Sequence, residues 1–163
     1  MSDSMPLVVA VVSVVAGLMV VRYLVTDSGP RGVRNNNPGN IKHNPANKWR
    51  GASTNQIDST FVRFDSPVMG IRAMVKVLKT YYYQHGLTTI QQIIPRWAPS
   101  EDRNDVAAYI SSVVSHSGIK SDQQLKWPDD IERVVMAIIQ HENGIQPYLA
   151  DTIQAGVRAA NEA

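Results

Sequence analysis

No cysteine occurs among the 163 residues, which excludes disulfides, thiolate metal sites and a cysteine nucleophile. No Gly-x-Ser-x-Gly string and no phosphate-binding loop is present, so serine-hydrolase and nucleotide chemistry lack a carrier. The four histidines, His43, His85, His116 and His141, show no ligand spacing such as His-x-x-x-His, and neither a metal site nor a cofactor is expected. Acidic residues are scarce early in the chain: from 31 to 96 only Asp58 and Asp65 stand against ten Lys or Arg. The remainder, from 97 to 163, reverses this with ten acidic against five basic residues, so the net charge of +2 sums two opposed halves. A basic half suits an anionic polymer or surface. Without an Arg-rich tract or an aromatic ribonucleoprotein-type motif, dedicated nucleic-acid binding is not expected.

What is present is segregated. The chain is 44% hydrophobic, yet its mean hydropathy is only −0.18, because one apolar block stands apart. Residues 7–21 carry no charge, and only Ser13 and Gly17 interrupt a run of Val, Ala, Leu and Met. Extended to residue 25 the block approaches the roughly 20 residues that cross a bilayer as a helix. Arg22 near its end can reach the headgroups while Tyr23 sits at the interface. A cleaved signal peptide is the rival, but residues 1–6 include Asp3 and no Lys or Arg, and no Ala-x-Ala site follows. The expected layout is a leader at 1–6, a retained transmembrane anchor at 7–25, a linker at 26–30 and one domain at 31–163. Arg22, Arg31 and Arg34 all follow the apolar run, which places that domain on the positive-inside face.

Within the domain, residues 31–50 are rich in Asn, Gly and Pro and predict an irregular, turn-rich opening. The β-branched stretch 57–64 predicts a small β-hairpin or a β-like segment. After Ser66-Pro67 the pattern is helical. Apolar spacing and terminators predict helices over 68–85 (stopped by Gly86), from Thr88 or Thr89 to Ile94 (stopped by Pro95), over 105–115 (ended by Gly118), from about 128 to 141, and over 148–160. The fold class is therefore mainly α.

Several spaced motifs point further. Arg31-Gly-Val-Arg-Asn-Asn-Asn-Pro-Gly-Asn-Ile41, Trp49-Arg-Gly51, Phe61-x-x-Phe-Asp-Ser-Pro67 with Gly70-Ile71, Gly86-Leu-Thr-Thr-Ile90, Arg96-Trp-Ala-Pro99 and Ile139-Gln-His-Glu-Asn-Gly144 resemble, in order, the lysozyme-like structural proteins of bacteriophages and prophages. The resemblance spans about 31–156. It implies a lysozyme-like helical domain with a small β-hairpin, a virion setting, and peptidoglycan as the polymer opened when the phage penetrates its host. An anchored form implies the membrane of a membrane-containing phage, reached through the host membrane during assembly, with other virion proteins as partners.

Glycoside cleavage requires a carboxylic acid that protonates the leaving oxygen, usually with a second carboxylate or a substrate group to stabilise the cationic centre. Asp129, Asp130 and Glu132 complement a helix N-terminus, and Glu101, Asp102 and Asp105 surround a turn and a helix start. Glu142 differs: it ends the apolar run Val134-Val-Met-Ala-Ile-Ile139 and precedes Asn143-Gly144, which exposes it at the lip of a cleft. The string from 137 to 147 is similar to the catalytic-helix motif of lytic transglycosylases, in which Glu-Ser-Gly ends an apolar helix. There that helix precedes the hairpin, whereas here it follows, which implies a circular permutation with Glu142 packed beside the Asn-rich opening. Asp58 is the candidate second carboxylate, or else a turn former. With Asp58, hydrolysis is expected; with Glu142 alone, the sugar's own hydroxyl attacks and leaves an anhydro end. Glu142 also has a structural alternative, pairing at its helix C-terminus with His141, Arg34 or Lys42.

The candidate substrate-binding residues are Arg34, Asn35, Asn36, Asn37, Asn40, Trp49, Tyr82, Trp97 and His141. The asparagine amides suit N-acetyl groups and hydroxyls, and equally suit Asx-turns that hold an irregular segment together. Tyr82, Tyr83 and Trp97 suit stacking on sugar faces, although tyrosines at helical spacing also suit a core. The rival from another class is a virion protein that kept the fold, lost the chemistry and anchors a neighbouring component.

Overall fold

A computed structural model describes residues 10–15, 18–23 and 29–162, with side chains for 29–162. In the stretch expected to be a single membrane-crossing helix, the described backbone forms two antiparallel strands, β1 (Ala10–Val15) and β2 (Leu18–Tyr23). The rest of the 7–25 anchor, its side chains and the 1–6 leader lie outside the described residues. Among the described residues no helix is long and apolar enough to cross a membrane.

The remainder is mainly helical, as the apolar spacing predicts. The helices are α1 (Arg31–Arg34), α2 (Pro67–His85), α3 (Ile90–Trp97), α4 (Val106–Ser117), α5 (Ile131–Asn143) and α6 (Ala150–Asn161). Pro67 opens α2 at a position where its missing N–H has no helical partner to lose. Gly86, Gly118 and Gly144 close α2, α4 and α5 in the left-handed conformation. Asp105 caps α4 by accepting the Ala108 N–H at 3.0 Å. Thr89 and Gln92 form a reciprocal capping box on α3.

Three local expectations are corrected. Pro95 does not stop the third helix, which runs through it to Trp97. The carbonyl that loses its helical N–H partner belongs to Gln91, and both residues are exposed. The opening is not wholly irregular, because α1 forms a single turn there. The expected hairpin over 57–64 is instead two isolated antiparallel bridges, Lys42 with Phe61 and Ala52 with Phe64. The extended stretch 60–65 bonds segments on either side, His43 N–H to the Thr60 carbonyl at 2.9 Å and Ser53 N–H to the Arg63 carbonyl at 2.9 Å. Pro45 and the left-handed Gly51 break the partner segments before a continuous ladder forms.

Apolar stripes on the helices meet in one core. Ile71, Met74, Val75 and Leu78 of α2 pack with Ile93 and Ile94 of α3, Val113 of α4 and Val134, Val135, Ile138 and Ile139 of α5. The i, i+3, i+4, i+7 spacing puts each set on one face, and burying each such side chain contributes roughly 1.5–3 kcal/mol. A smaller cluster of Val62, Phe64 and Ala73, flanked by Ile41, Trp49 and Met69, seats the bridged segments on α2. There the opening loop touches the helix so closely that a Cβ on Gly70 would fall 1.9 Å from the Asn36 carbonyl oxygen. α2 packs along α6, α4 along α5, and α1 against α5. That last contact brings the Asn-rich opening to the end of α5.

Candidate functional site: a glutamate beside a cleft

The apolar face of α5 ends in Glu142, Asn143 and Gly144. Asn143 is buried, and its amide donates to the Pro38 and Ile139 carbonyls at 2.9 Å each. This fixes the C-terminus of α5 against the opening loop and leaves the half-buried Glu142 facing three neighbours. Asn40, held at φ 48°, donates its amide to Glu142 Oε2 at 2.8 Å. Tyr109 of α4 donates its hydroxyl to Oε1 at 2.6 Å. Trp97, the last residue of α3, approaches the same oxygen with its indole N–H at 3.4 Å. All three donors are neutral.

The surrounding electrostatics follow from burial. Tyr109 is 2% exposed, and burial first, then the neighbouring Glu142, push its phenol far above the usual range, so it remains a donor. His141 stacks on Tyr109 at 3.6 Å between ring centroids. Burial holds its imidazole below the ordinary value, partly opposed by Glu142.

Asn40 and Trp97 also line a cleft of about 560 Å³ between the 39–49 segment and helices α2 and α3. Trp49 and Tyr81 add aromatic surface. Lys42, Lys76 and Arg96 add positive charge, and Asp102 pairs with Lys42 at 2.6 Å. A concave, partly aromatic surface with amide groups can hold an extended polar chain, and Glu142, which does not itself line it, adjoins it through Asn40 and Trp97.

The structure brings some of the expected residues together and sets others apart. Asn40, Trp49 and Trp97 line the cleft. Asn36 donates to the Phe64 carbonyl at 2.9 Å. The fully buried Asn37 donates to the Ile41 and Val62 carbonyls and accepts the Ile41 N–H. These two amides hold the loop, the Asx role foreseen as the alternative. Tyr82 lies outside the cleft lining, with its hydroxyl on the Leu125 carbonyl at 3.0 Å and its ring beside Trp127. His141 contributes through Tyr109.

Asp58, Asn35 and Arg34 belong to a second pocket, of about 330 Å³, which shares no lining residue with the cleft. Arg31 clasps Asp58 with two bonds of 2.7 and 2.6 Å, Asn35 donates at 2.6 Å, and the Thr60 and Phe61 N–H groups donate at 2.9 and 3.0 Å. The Arg31 bonds, with the backbone and Asn35 donors, hold this carboxyl far below the usual carboxylate range.

Sequence reasoning missed Tyr109 and Tyr81. Tyr109 sits at an apolar position of α4 and carries no local signal of its role. Tyr81 adjoins the chosen Tyr82, and one residue turns a helical side chain by about 100°.

Fold and site together define a small helical domain with a cleft beside a half-buried carboxylate. The chain is 43% identical over 128 residues, 77% of its own length and 79% of the relative's, to Protein P5 of Pseudoalteromonas phage PM2, and it belongs to that phage protein's family. No family model matches it. The comparison supports the phage setting of the expected kinship and carries nothing on its lysozyme-like part.

Proposed function

We propose that the chain is a virion protein, anchored in the phage membrane through 7–25, that cleaves peptidoglycan glycan strands as a lytic transglycosylase with Glu142 as general acid and base. The observation that carries this reading is the Glu142 carboxyl held between Asn40 and Trp97, two side chains that also line the cleft. With Asp58 clasped by Arg31 in another pocket, a mechanism with one carboxylate fits better than a carboxylate pair. Protonated Glu142 gives its proton to the glycosidic oxygen as that bond breaks. A hydroxyl of the same sugar then closes on the anomeric carbon and returns its proton to Glu142, leaving an anhydro end.

Asn40 is suited to follow that proton. Its Oδ1 and the Oδ1 of Asn143 are both buried without a hydrogen-bond partner. They lie 3.0 and 2.8 Å from the position a Cβ would take on Gly32, with the Asn37 carbonyl oxygen at 2.9 Å. Turning the Asn40 amide over presents its oxygen to a protonated Glu142 and its NH₂ to this group of acceptors. Each amide orientation thus fits one protonation state of the acid, a positioning role for Asn40.

A second reading is favoured by one observation: both Glu142 oxygens already accept hydrogen bonds, which suits a structural hub in a glycan-binding virion protein without chemistry. A peptidoglycan activity gel with full-length protein and Glu142→Gln separates the two. Clearing by wild type alone, with anhydro-ended products, supports the enzyme. Absence of clearing by both, with glycan binding retained, supports the binding protein.

A further inference from the structure

The cleft beside Glu142 carries charge that a neutral sugar chain does not call for. Lys42 comes from the 39–49 segment, Lys76 from α2 and Arg96 from α3, and Asp102 is the one acid among the described lining residues. Lys76 is not free. Arg96 is exposed, sits over the Tyr81 ring at 5.9 Å from its centroid, and forms no ion pair among the described residues. A guanidinium whose neighbour is a neutral phenol keeps its charge, and most of its N–H fork, for a carboxylate. On the facing wall the structure already seats a carboxylate, because Asp102 meets Lys42 Nζ at 2.6 Å. Both side chains are about half exposed, 54% and 41%. An ion pair so open to water contributes little, so an incoming carboxylate can exchange with Asp102.

A peptidoglycan strand is neutral along its sugars and carries its carboxylates on side groups, either the lactyl ether of alternate sugars or the short peptides attached to it. We infer that the cleft reads these carboxylates: Arg96 takes one on the α3 wall, and Lys42 takes one on the facing wall in exchange for Asp102. This rests on the glycan reading of the cleft and deepens it from a sugar chain to one with anionic side groups.

Trp49 and Trp97 line the cleft, so rapid-mixing tryptophan fluorescence of the full-length protein reads binding before any strand is cut. The ligands are soluble peptide-free strands, soluble peptide-bearing strands, and the same two with their carboxylates converted to methylamides. Wild type is expected to bind at least one carboxylate form several-fold more tightly than its methylamide, with the margin lost at high salt. A margin on peptide-free strands assigns the carboxylate to the lactyl group; one on peptide-bearing strands alone assigns it to the peptide. Arg96→Gln should cut affinity for that carboxylate form by roughly fivefold and leave its methylamide unchanged, while Arg96→Lys keeps part of the margin. Asp102→Asn should widen the margin by releasing Lys42, a gain that damage to the fold does not produce. Equal binding of carboxylate and methylamide forms by wild type overturns the inference. So does a fall for both forms in Arg96→Gln, or an unchanged or narrowed margin in Asp102→Asn. Binding of none of the four ligands overturns the glycan reading of the cleft, whereas binding indifferent to carboxylates overturns only their recognition.

Discussion

Two carboxylates, Glu142 and Asp58, sit in contrasting surroundings. Asp58 accepts five hydrogen bonds, two of them from a guanidinium. Glu142 accepts three, all from neutral groups, beside a cleft that can admit a polymer. A full cation opposite a carboxylate fixes the ionised form and makes the group a clasp. The donors on Glu142 carry no charge and orient the carboxyl. Position matters as well: Asp58 joins α1 to the loop that precedes the core, whereas Glu142 ends a rigid apolar helix.

Perturbing the clasp should give the larger effect on stability. Asp58→Ala leaves the Asn35 amide and two backbone N–H groups without their acceptor. The cost is expected to be about 2–3 kcal/mol in denaturant unfolding, with glycan cleavage per folded molecule little changed. If cleavage falls while stability holds, the division of roles fails. The same group shapes the acid limb. Its folded-state carboxyl lies below the ordinary 3.8, so its stabilisation is complete above about pH 4 and is lost as pH falls further. Unfolding measured from pH 6 to pH 2 should show a shallower acid slope in Asp58→Ala than in wild type.

Gly32→Ala tests the other side of the comparison. Its Cβ would meet Asn143 Oδ1, the Asn37 carbonyl and Asn40 Oδ1 at 2.8 to 3.0 Å. A cost of about 1–2 kcal/mol is expected, together with a fall in cleavage because Asn40 is displaced from Glu142. Unchanged activity would remove Asn40 from the mechanism. His141 offers a smaller handle. Burial holds its imidazole below the ordinary 6.5, so the neutral ring on Tyr109 stabilises the fold above that pH and this contribution is lost as pH falls below it. Thermal unfolding of wild type and His141→Gln should therefore converge between pH 7 and pH 5. Smallest of all, Trp97→Phe removes a long 3.4 Å bond and should cost under about 1 kcal/mol, with its main effect on glycan affinity.

Much of this contrast was legible in the sequence. Helical spacing and the glycines at 86, 118 and 144 mark three helix ends, and the Glu142-Asn143-Gly144 terminus puts the proposed acid at one of them. What escaped depends on partners distant in the chain. Whether Asp58 is a clasp or a catalyst turns on Arg31, 27 residues away, and its guanidinium geometry leaves no local pattern. The Asn run looks uniform, yet Asn36 and Asn37 bond backbone, Asn35 bonds Asp58 and Asn40 bonds Glu142, a division set by partners 20 or more residues away. Pro95 misleads because its cost depends on whether the carbonyl of Gln91 faces water.

The most direct test compares glycan release from purified peptidoglycan by full-length wild type, Glu142→Gln and Asp58→Asn, each normalised to folded protein. The account predicts a loss of roughly a hundredfold or more for Glu142→Gln, a near-normal rate for Asp58→Asn and anhydro-ended products. Equal rates in wild type and Glu142→Gln, or a loss confined to Asp58→Asn, would contradict it.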